Sequence, residues 1–131
     1  ENDLSGLHAA EGIGEPPEQI FKTLVARGEK QGYLVFCIPV CCELDLKKAA
    51  KAAKDKKVEL IAVRELLPLT GYIRGGCSPI GMKKHFPTFI DETAILYDEI
   101  GVSAGQRGAQ VLVSPDALCE YVGAEFCDLT V

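Results

Sequence analysis

The sequence lacks any apolar run that could cross a bilayer. Of its 131 residues 47% are hydrophobic, but no stretch approaches the roughly 20 consecutive apolar residues that a membrane-spanning helix needs. The start, Glu1-Asn2-Asp3, also lacks the basic and then apolar pattern of a signal peptide. We therefore expect a cytoplasmic protein without a membrane partner. Its size and composition predict one globular domain over residues 1–131 with a single core.

Several motifs of enzymes and metal proteins are also missing. There is no CxxC pair, and His8 and His85 are not spaced with any cysteine as a zinc site requires. Walker A, dinucleotide-binding and Gly-x-Ser-x-Gly patterns are absent, which argues against these nucleotide sites and against a serine triad. Most of the six cysteines are predicted to be buried, reduced thiols. The redox role of the adjacent pair, Cys41 and Cys42, stays open.

Basic residues are scarce overall but concentrated in one segment. The net charge of the chain is −5, yet residues 47–57 carry six lysines against a single acid, Asp55. This segment fits either a solvated helix face or a surface that faces phosphates. In the second case Lys47, Lys51 and Lys54 are the residues expected to contact the phosphates of a nucleic acid.

Strand and helix patterns alternate irregularly along the chain. Strands are predicted over 20–26, 33–40, 58–61, 86–91, 99–103, 109–113 and 125–131. Helices are predicted over 4–11, 45–56, 62–67 and 114–122, the third ending near Pro68. This order favours a mixed α/β (α+β) fold, in which a mixed sheet curls into a partly open, barrel-like structure surrounded by helices, over a doubly wound parallel sheet.

Three features of the sequence could carry chemistry, and each has a structural alternative. Lys22 interrupts an apolar strand face, as either a functional cation or a lysine at a sheet margin. The glycine-rich run 71–81 fits either a tight turn or a loop whose backbone amides hold a carbonyl or phosphate oxygen. Ser103 ends a predicted strand before a second glycine-containing turn with Arg107, and both interpretations again apply.

The order of these elements resembles the YbaK/EbsC family of Cys-tRNA(Pro) deacylases. The resemblance covers nearly the whole chain and rests on residues 19–24, 44–52, 69–81 and 102–108. Its most specific part is the Thr-Gly-Tyr element followed by Gly-Gly-Cys-Ser-Pro-Ile-Gly.

The resemblance implies the mixed α/β fold of the prolyl-tRNA editing superfamily and hydrolysis of the ester of mischarged aminoacyl-tRNA, chiefly Cys-tRNA(Pro). It implies neither a metal nor a cofactor, and it implies tRNA(Pro) and prolyl-tRNA synthetase as partners. It also implies a further segment before residue 1 that helps to close the pocket.

The resemblance further assigns site residues. The catalytic groups are expected at Lys22, the backbone of Gly75 and the hydroxyl of Ser103. Neighbouring residues of the same motifs are expected to bind substrate: Thr23, Thr70, Gly71, Tyr72, Gly76, Ser78, Pro79, Gly105 and Arg107.

An aminoacyl ester is already activated, so such a site needs only positioning and oxyanion stabilisation. With cysteine as substrate, the thiol of the substrate can itself attack the ester. Three alternatives remain: a deacylase for another amino acid, a non-catalytic tRNA- or synthetase-binding module, and a metabolite-binding domain.

Overall fold

The structure, a computed structural model, describes residues 8–10 and 16–131. Within these residues the chain forms eight strands and three α-helices. The helices are α1 (Leu46–Ala53), α2 (Val63–Thr70) and α3 (Pro115–Val122). The strands are β1 (His8–Ala10), β2 (Phe21–Gly28), β3 (Gly32–Pro39), β4 (Val58–Leu60), β5 (Thr88–Asp91), β6 (Ile100–Ser103), β7 (Gln110–Val113) and β8 (Glu125–Cys127).

The strands form two sheets. The larger has the order β4-β2-β3-β5-β8, in which β2 is antiparallel to β3 and β4 while β5 is parallel to β3 and β8. The smaller is antiparallel, with the order β1-β7-β6. A parallel bridge between Ile20 and Gly101 links them. The predicted mixed α/β fold is confirmed, although the two sheets stay open and do not close into a barrel.

Strands β2 and β3 pair as a hairpin, as the sequence predicted, and this hairpin lies inside the larger sheet. Phe21 lies opposite Pro39 and Gly28 opposite Gly32, without a bulge. Side chains alternate across this hairpin, so its two faces bury different residues. Phe21 and Val25 belong to a cluster that includes α3 and the smaller sheet. Residues of the other face pack against α1, and the predicted single core is therefore two clusters.

Helix α1 begins where the sequence predicted but ends earlier. The Asp45 carboxylate accepts hydrogen bonds from the Lys47 and Lys48 amides at 2.9 and 3.1 Å, which caps the helix. The helix ends at Ala53 rather than at residue 56, because Lys54 adopts a left-handed conformation with φ of +58°. Ala49, Ala50 and Ala53 form the buried face of the helix, whereas Leu46 at its start is 41% exposed.

Two further predictions need correction. Helix α2 runs to Thr70 and contains Pro68. A proline removes a single backbone donor, and the Gly71 amide closes the last turn by donating to the Leu67 carbonyl at 2.9 Å. Residues 8–10 of the predicted helix 4–11 instead form β1 on the edge of β7, and the rest of that prediction lies outside the described residues.

Helix α3 agrees with the sequence pattern. The Ser114 hydroxyl accepts from the Ala117 amide at 3.3 Å, and Pro115 is the first helical residue. Strands β5 and β8 are shorter than predicted. In the described part of the chain, no helix is both long and apolar enough to span a bilayer.

Candidate active site

A cleft of about 540 Å³ opens beside β2, on the side opposite to β3. The Ile20–Gly101 bridge ties the start of β2 to β6. Further along, the Val25 carbonyl accepts from the Ile61 amide at 3.1 Å, where pairing with β4 begins. Between these points no described strand pairs with β2 on this side. We call this space the β2 cleft. Its lining consists of residues 21–25 of β2, Val40, residues 60–63, Leu66, Arg74, Gly75, Cys77, Ser103 and residues 108–110.

The open edge of β2 presents backbone groups to the β2 cleft. Amide and carbonyl groups two residues apart on a strand point to the same side. Because the Val25 carbonyl points towards Ile61, the Thr23 amide and carbonyl point into the gap. The Thr23 hydroxyl lies 3.7 Å from the Cys37 sulfur on the neighbouring strand. Thr23 can therefore offer both a donor and an acceptor to a ligand through its backbone.

All three predicted catalytic residues line the β2 cleft. Lys22 is half-buried, and no described residue forms a hydrogen bond or ion pair with its ammonium. Ser103 ends β6 opposite Gln110 of β7, and its hydroxyl accepts from the Gly105 amide at 3.1 Å. Gly75 is exposed with φ of +85°, a conformation in which residues with side chains are strained. The site thus brings together a cation, a hydroxyl and a glycine backbone.

The other glycines of the motifs explain how the two loops pack. A Cβ atom on Gly76 would lie 3.0 Å from the Arg107 backbone nitrogen, and one on Gly105 would lie 3.2 Å from the Tyr72 ring. The Arg107 guanidinium donates to the Arg74 carbonyl from Nε at 3.4 Å and from Nη2 at 3.3 Å. Side chains at these glycines would force the loops apart, so the two motifs hold each other in place.

The hydroxyl groups of Thr70, Tyr72 and Ser78 stabilise the glycine-rich loop through hydrogen bonds with backbone groups. The Thr70 hydroxyl donates to the Leu66 carbonyl at 2.8 Å and accepts from the Tyr72 amide at 3.0 Å. The Tyr72 hydroxyl donates to the Ile80 carbonyl, and the Ser78 hydroxyl accepts from the Ile80 amide at 3.2 Å. The predicted substrate-binding residues that do not line the β2 cleft are Thr70, Gly71, Tyr72, Gly76, Ser78, Pro79, Gly105 and Arg107. Their contact with substrate stays a prediction.

The charge of the β2 cleft differs from that of the whole chain. Its described lining contains two cations, Lys22 and Arg74, and no aspartate or glutamate, although the net charge of the chain is −5. A cationic, partly enclosed space concentrates anionic ligands. Arg74 was not among the site residues predicted from the sequence. Its position within the glycine-rich run could have indicated a cation at the site.

Gln110 is a second lining residue that the sequence did not indicate. Its Oε1 is buried without a hydrogen-bond partner, the single such side-chain atom in residues 16–131. An unpaired buried acceptor costs about 1–3 kcal/mol. The side chain lies opposite Ser103 across β6 and β7, so this cost falls next to a predicted catalytic residue.

Residues 7–121 match the family model of the aminoacyl-tRNA editing domain. The chain belongs to this family. Over 130 residues, 99% of this chain and 79% of the relative, it is 50% identical to an Enterococcus faecalis protein with the provisional name Cys-tRNA(Pro)/Cys-tRNA(Cys) deacylase EbsC. It is 26% identical over 113 residues, 86% of this chain and 71% of the relative, to the uncharacterised Bacillus subtilis protein YwhH.

A solved structure supports the same assignment. The crystal structure of a protein described provisionally as a trans-editing enzyme for prolyl-tRNA synthetase superposes with a TM-score of 0.87 and 28% identity, covering 96% of this chain and 87% of that one. The predicted family and its fold are thereby confirmed, and at the level of the family so is the predicted class of activity, deacylation of mischarged tRNA.

One thiol of this editing domain lies at the β2 cleft. Cys77 follows the two glycines of the loop and is 5% exposed. Burial raises the pKa of its thiol to about 11. Only on the order of one molecule in 10⁴ would carry the thiolate at neutral pH, and the thiolate is the nucleophilic form. Cys77 is therefore poorly suited to be a nucleophile.

Potential metal ligands are not clustered in the described residues of this editing domain. Among the described residues no group of three or more histidine, cysteine, aspartate or glutamate side chains is placed to hold an ion. The groups that the β2 cleft offers are hydrogen-bond donors and fixed positive charges. Such groups position an ester and stabilise the oxyanion that develops during its cleavage.

Proposed function

We propose that this editing domain acts in trans and hydrolyses the ester bond of Cys-tRNA(Pro). The observation that carries the proposal is the β2 cleft, which joins Lys22, Arg74 and the Gly75 backbone without any acidic residue in its described lining. An aminoacylated tRNA end combines phosphates with an ester carbonyl, and both are recognised by such donors. The name of the Enterococcus faecalis relative supports the choice of cysteine.

The proposed reaction uses the thiol of the substrate. Its sulfur attacks the ester carbonyl carbon, the bond to the ribose oxygen breaks, and that oxygen leaves with a proton. Water then hydrolyses the resulting thioester. The protein positions the ester and stabilises the oxyanion, for which each well-placed donor contributes about 2.7–4 kcal/mol. The raised pKa of Cys77 supports this route, because a covalent intermediate on that thiol would need a thiolate that is rarely present.

A panel of mischarged tRNAs tests the function and the source of the nucleophile together. We expect Cys-tRNA(Pro) to be hydrolysed at least about 100-fold faster than Ser-tRNA(Pro), because a hydroxyl is a much weaker nucleophile than a thiol. Cys77→Ala should retain hydrolysis of Cys-tRNA(Pro), and Ser103→Ala should retain a measurable part of it. The measurement is kcat/KM for each pair of enzyme and substrate.

The same panel separates the alternatives. Equal rates on both substrates, together with an inactive Cys77→Ala protein, would mean an acyl-enzyme on Cys77. Faster hydrolysis of another amino acid would assign the domain to a different mischarged tRNA. No hydrolysis of any member, with tRNA binding intact, would favour a non-catalytic module.

We further propose that the basic face of α1 binds the tRNA backbone. Lys47, Lys51 and Lys54 are all exposed on this helix and its end, whereas Lys48 is held by Asp128 and the Thr130 carbonyl. Lysines that neutralise phosphates release counterions, so binding weakens as salt rises.

A tRNA substrate also supports a cytoplasmic location, and prolyl-tRNA synthetase is proposed as the partner that supplies tRNA selectivity.

Replacing Lys47, Lys51 and Lys54 by alanine together should weaken tRNA binding and flatten its salt dependence. Each lost phosphate contact should reduce the slope of log K against log salt by about 0.7–0.9. Binding is measured over a salt series. The control replaces Lys30, Lys83 and Lys84, which are also exposed, and produces the same change in net charge. If both triple variants behave alike, the α1 face is only a solvated surface.

A further inference from the structure

The turn that follows β3 carries two neighbouring thiols. Cys41 is exposed and Cys42 is half-buried. Their sulfur atoms are 3.9 Å apart and both thiols are free. The Cys42 amide donates to the Pro39 carbonyl at 3.0 Å, which closes the turn. In the described part of the chain this is the one pair of cysteines adjacent in sequence, and the proposed reaction does not use it.

This pair lies beside the β2 cleft. Val40, immediately before it, lines the cleft, and its amide donates to the carbonyl of Ile20, two residues before Lys22, at 2.8 Å. Burial, the neighbouring Cys41 thiol and the negative charge of Asp91 raise the pKa of Cys42, while the positive charge of Lys22 acts more weakly in the opposite direction. The thiol pair is therefore connected to the cleft through Val40 and its hydrogen bond to Ile20.

We propose that Cys41 and Cys42 form a thiol–disulfide exchange site, which closes a reversible disulfide between the two adjacent residues and lowers editing activity. The oxidant is a small-molecule disulfide. The exposed Cys41 thiolate attacks it, forms a mixed disulfide and releases one small thiol. Cys42 then attacks the Cys41 sulfur and releases the second. Two protein thiols are oxidised, one small disulfide is reduced to two thiols, and these take up the two protons that the protein loses.

The two sulfur atoms are close enough to bond, and the strain of the closed ring would make the disulfide easy to reduce. The sulfur atoms need to approach only from 3.9 Å to a bonding distance of about 2.0 Å. However, neighbouring Cα atoms across a trans peptide are about 3.8 Å apart, whereas unstrained disulfides span about 4.4–6.8 Å. The closed ring is therefore strained, and strained, exposed disulfides are the readily reduced ones. Such a bond suits a switch rather than a permanent crosslink.

Ring closure would change the β2 cleft through the turn. Both cysteines must shift, and they directly follow Val40, whose amide donates to the Ile20 carbonyl. Ile20 and Phe21 directly precede Lys22 in the chain, so a shift of Val40 can reach Lys22. A displacement of about 1 Å in a positioning group can reduce activity by up to about 100-fold. We expect oxidation to lower kcat/KM for Cys-tRNA(Pro) by about tenfold and a dithiol reductant to restore it.

Peptide mapping of the full chain tests the chemistry without any activity assay. After incubation with glutathione disulfide and alkylation, the wild-type peptide that contains Cys41 and Cys42 should lack two hydrogen atoms and carry no alkyl group. Cys42→Ser should instead keep one glutathione on Cys41. Cys119→Ser, which removes a half-buried thiol elsewhere, should behave as the wild type. A wild-type pair that stays fully alkylated, or that stops at the mixed disulfide, overturns the proposal.

The activity assay tests the regulatory step, which rests on the proposed function. Wild-type protein and Cys41→Ser are assayed before oxidation, after it and after reduction. Only the wild type should lose activity, and reduction should restore it. A closed ring with unchanged kcat/KM overturns the switch. If reduced wild-type protein hydrolyses no mischarged tRNA, the proposed function fails, while the mapping still decides whether the disulfide forms.

Discussion

Replacing Lys22 by alanine is expected to lower kcat/KM for Cys-tRNA(Pro) by at least about 100-fold, equivalent to about 2.7 kcal/mol of transition-state stabilisation. Lys22 lines the β2 cleft, and no described residue pairs with its ammonium. Its charge is therefore available to a phosphate of the tRNA end or to the ester. Steady-state kinetics with Cys-tRNA(Pro) give the effect, and circular dichroism checks the fold.

Two companion variants separate the charge of Lys22 from its packing. Lys22→Met keeps an unbranched apolar stem without charge and should be as inactive as Lys22→Ala. Lys22→Arg keeps the charge in a different shape and should recover part of the activity. An active Lys22→Met protein would show that the side chain only packs at the sheet margin.

Replacing Gly75 by alanine is expected to reduce kcat/KM by a comparable factor. The added methyl group would meet Cγ and Nε of Arg107 at 3.4 Å, and this guanidinium donates to the Arg74 carbonyl. These are ordinary van der Waals contacts, but alanine disfavours the φ of +85°, so the backbone that faces the β2 cleft is expected to shift. A shift near 1 Å can cost about 100-fold. The positive φ adds about 1–2 kcal/mol of strain, so the melting temperature should fall by about 5 °C.

Gly32→Ala is the matched control for this strain. Gly32 has φ of +78° and no atom within 4 Å of the added Cβ, and it lies in the β2–β3 hairpin outside the cleft lining. It should show a similar loss of stability with full activity per folded molecule. If Gly75→Ala behaves in the same way, the glycine-rich loop has a structural role only.

The sequence correctly predicted the strands and helices that are determined by residues close to one another in the chain. The β2–β3 hairpin follows from alternation, and α1 and α3 follow from the capping residues Asp45 and Ser114. Strand β1 was missed because it exists only through its pairing with β7. Helix α2 continues through Pro68, and the Gly71 amide closes its last turn. The sequence prediction considered Pro68 alone and therefore ended the helix too early.

The residues of the candidate site were likewise predicted only in part. The resemblance to a family selected Lys22, Gly75 and Ser103, and all three line one cleft. Arg74 and Gln110 were missed because their importance depends on neighbours distant in sequence. One supplies charge in a lining without acids, and the other lies opposite Ser103 with an unpaired oxygen.

The open edge of β2 also bears on how the protein behaves at high concentration. An unpaired strand segment is a template on which another chain can add a strand, and natural proteins guard such edges with charged side chains, lysine above all. Lys22 lies within this segment. We therefore expect the Lys22 ammonium, which we propose positions the substrate, also to oppose aggregation through edge-to-edge pairing.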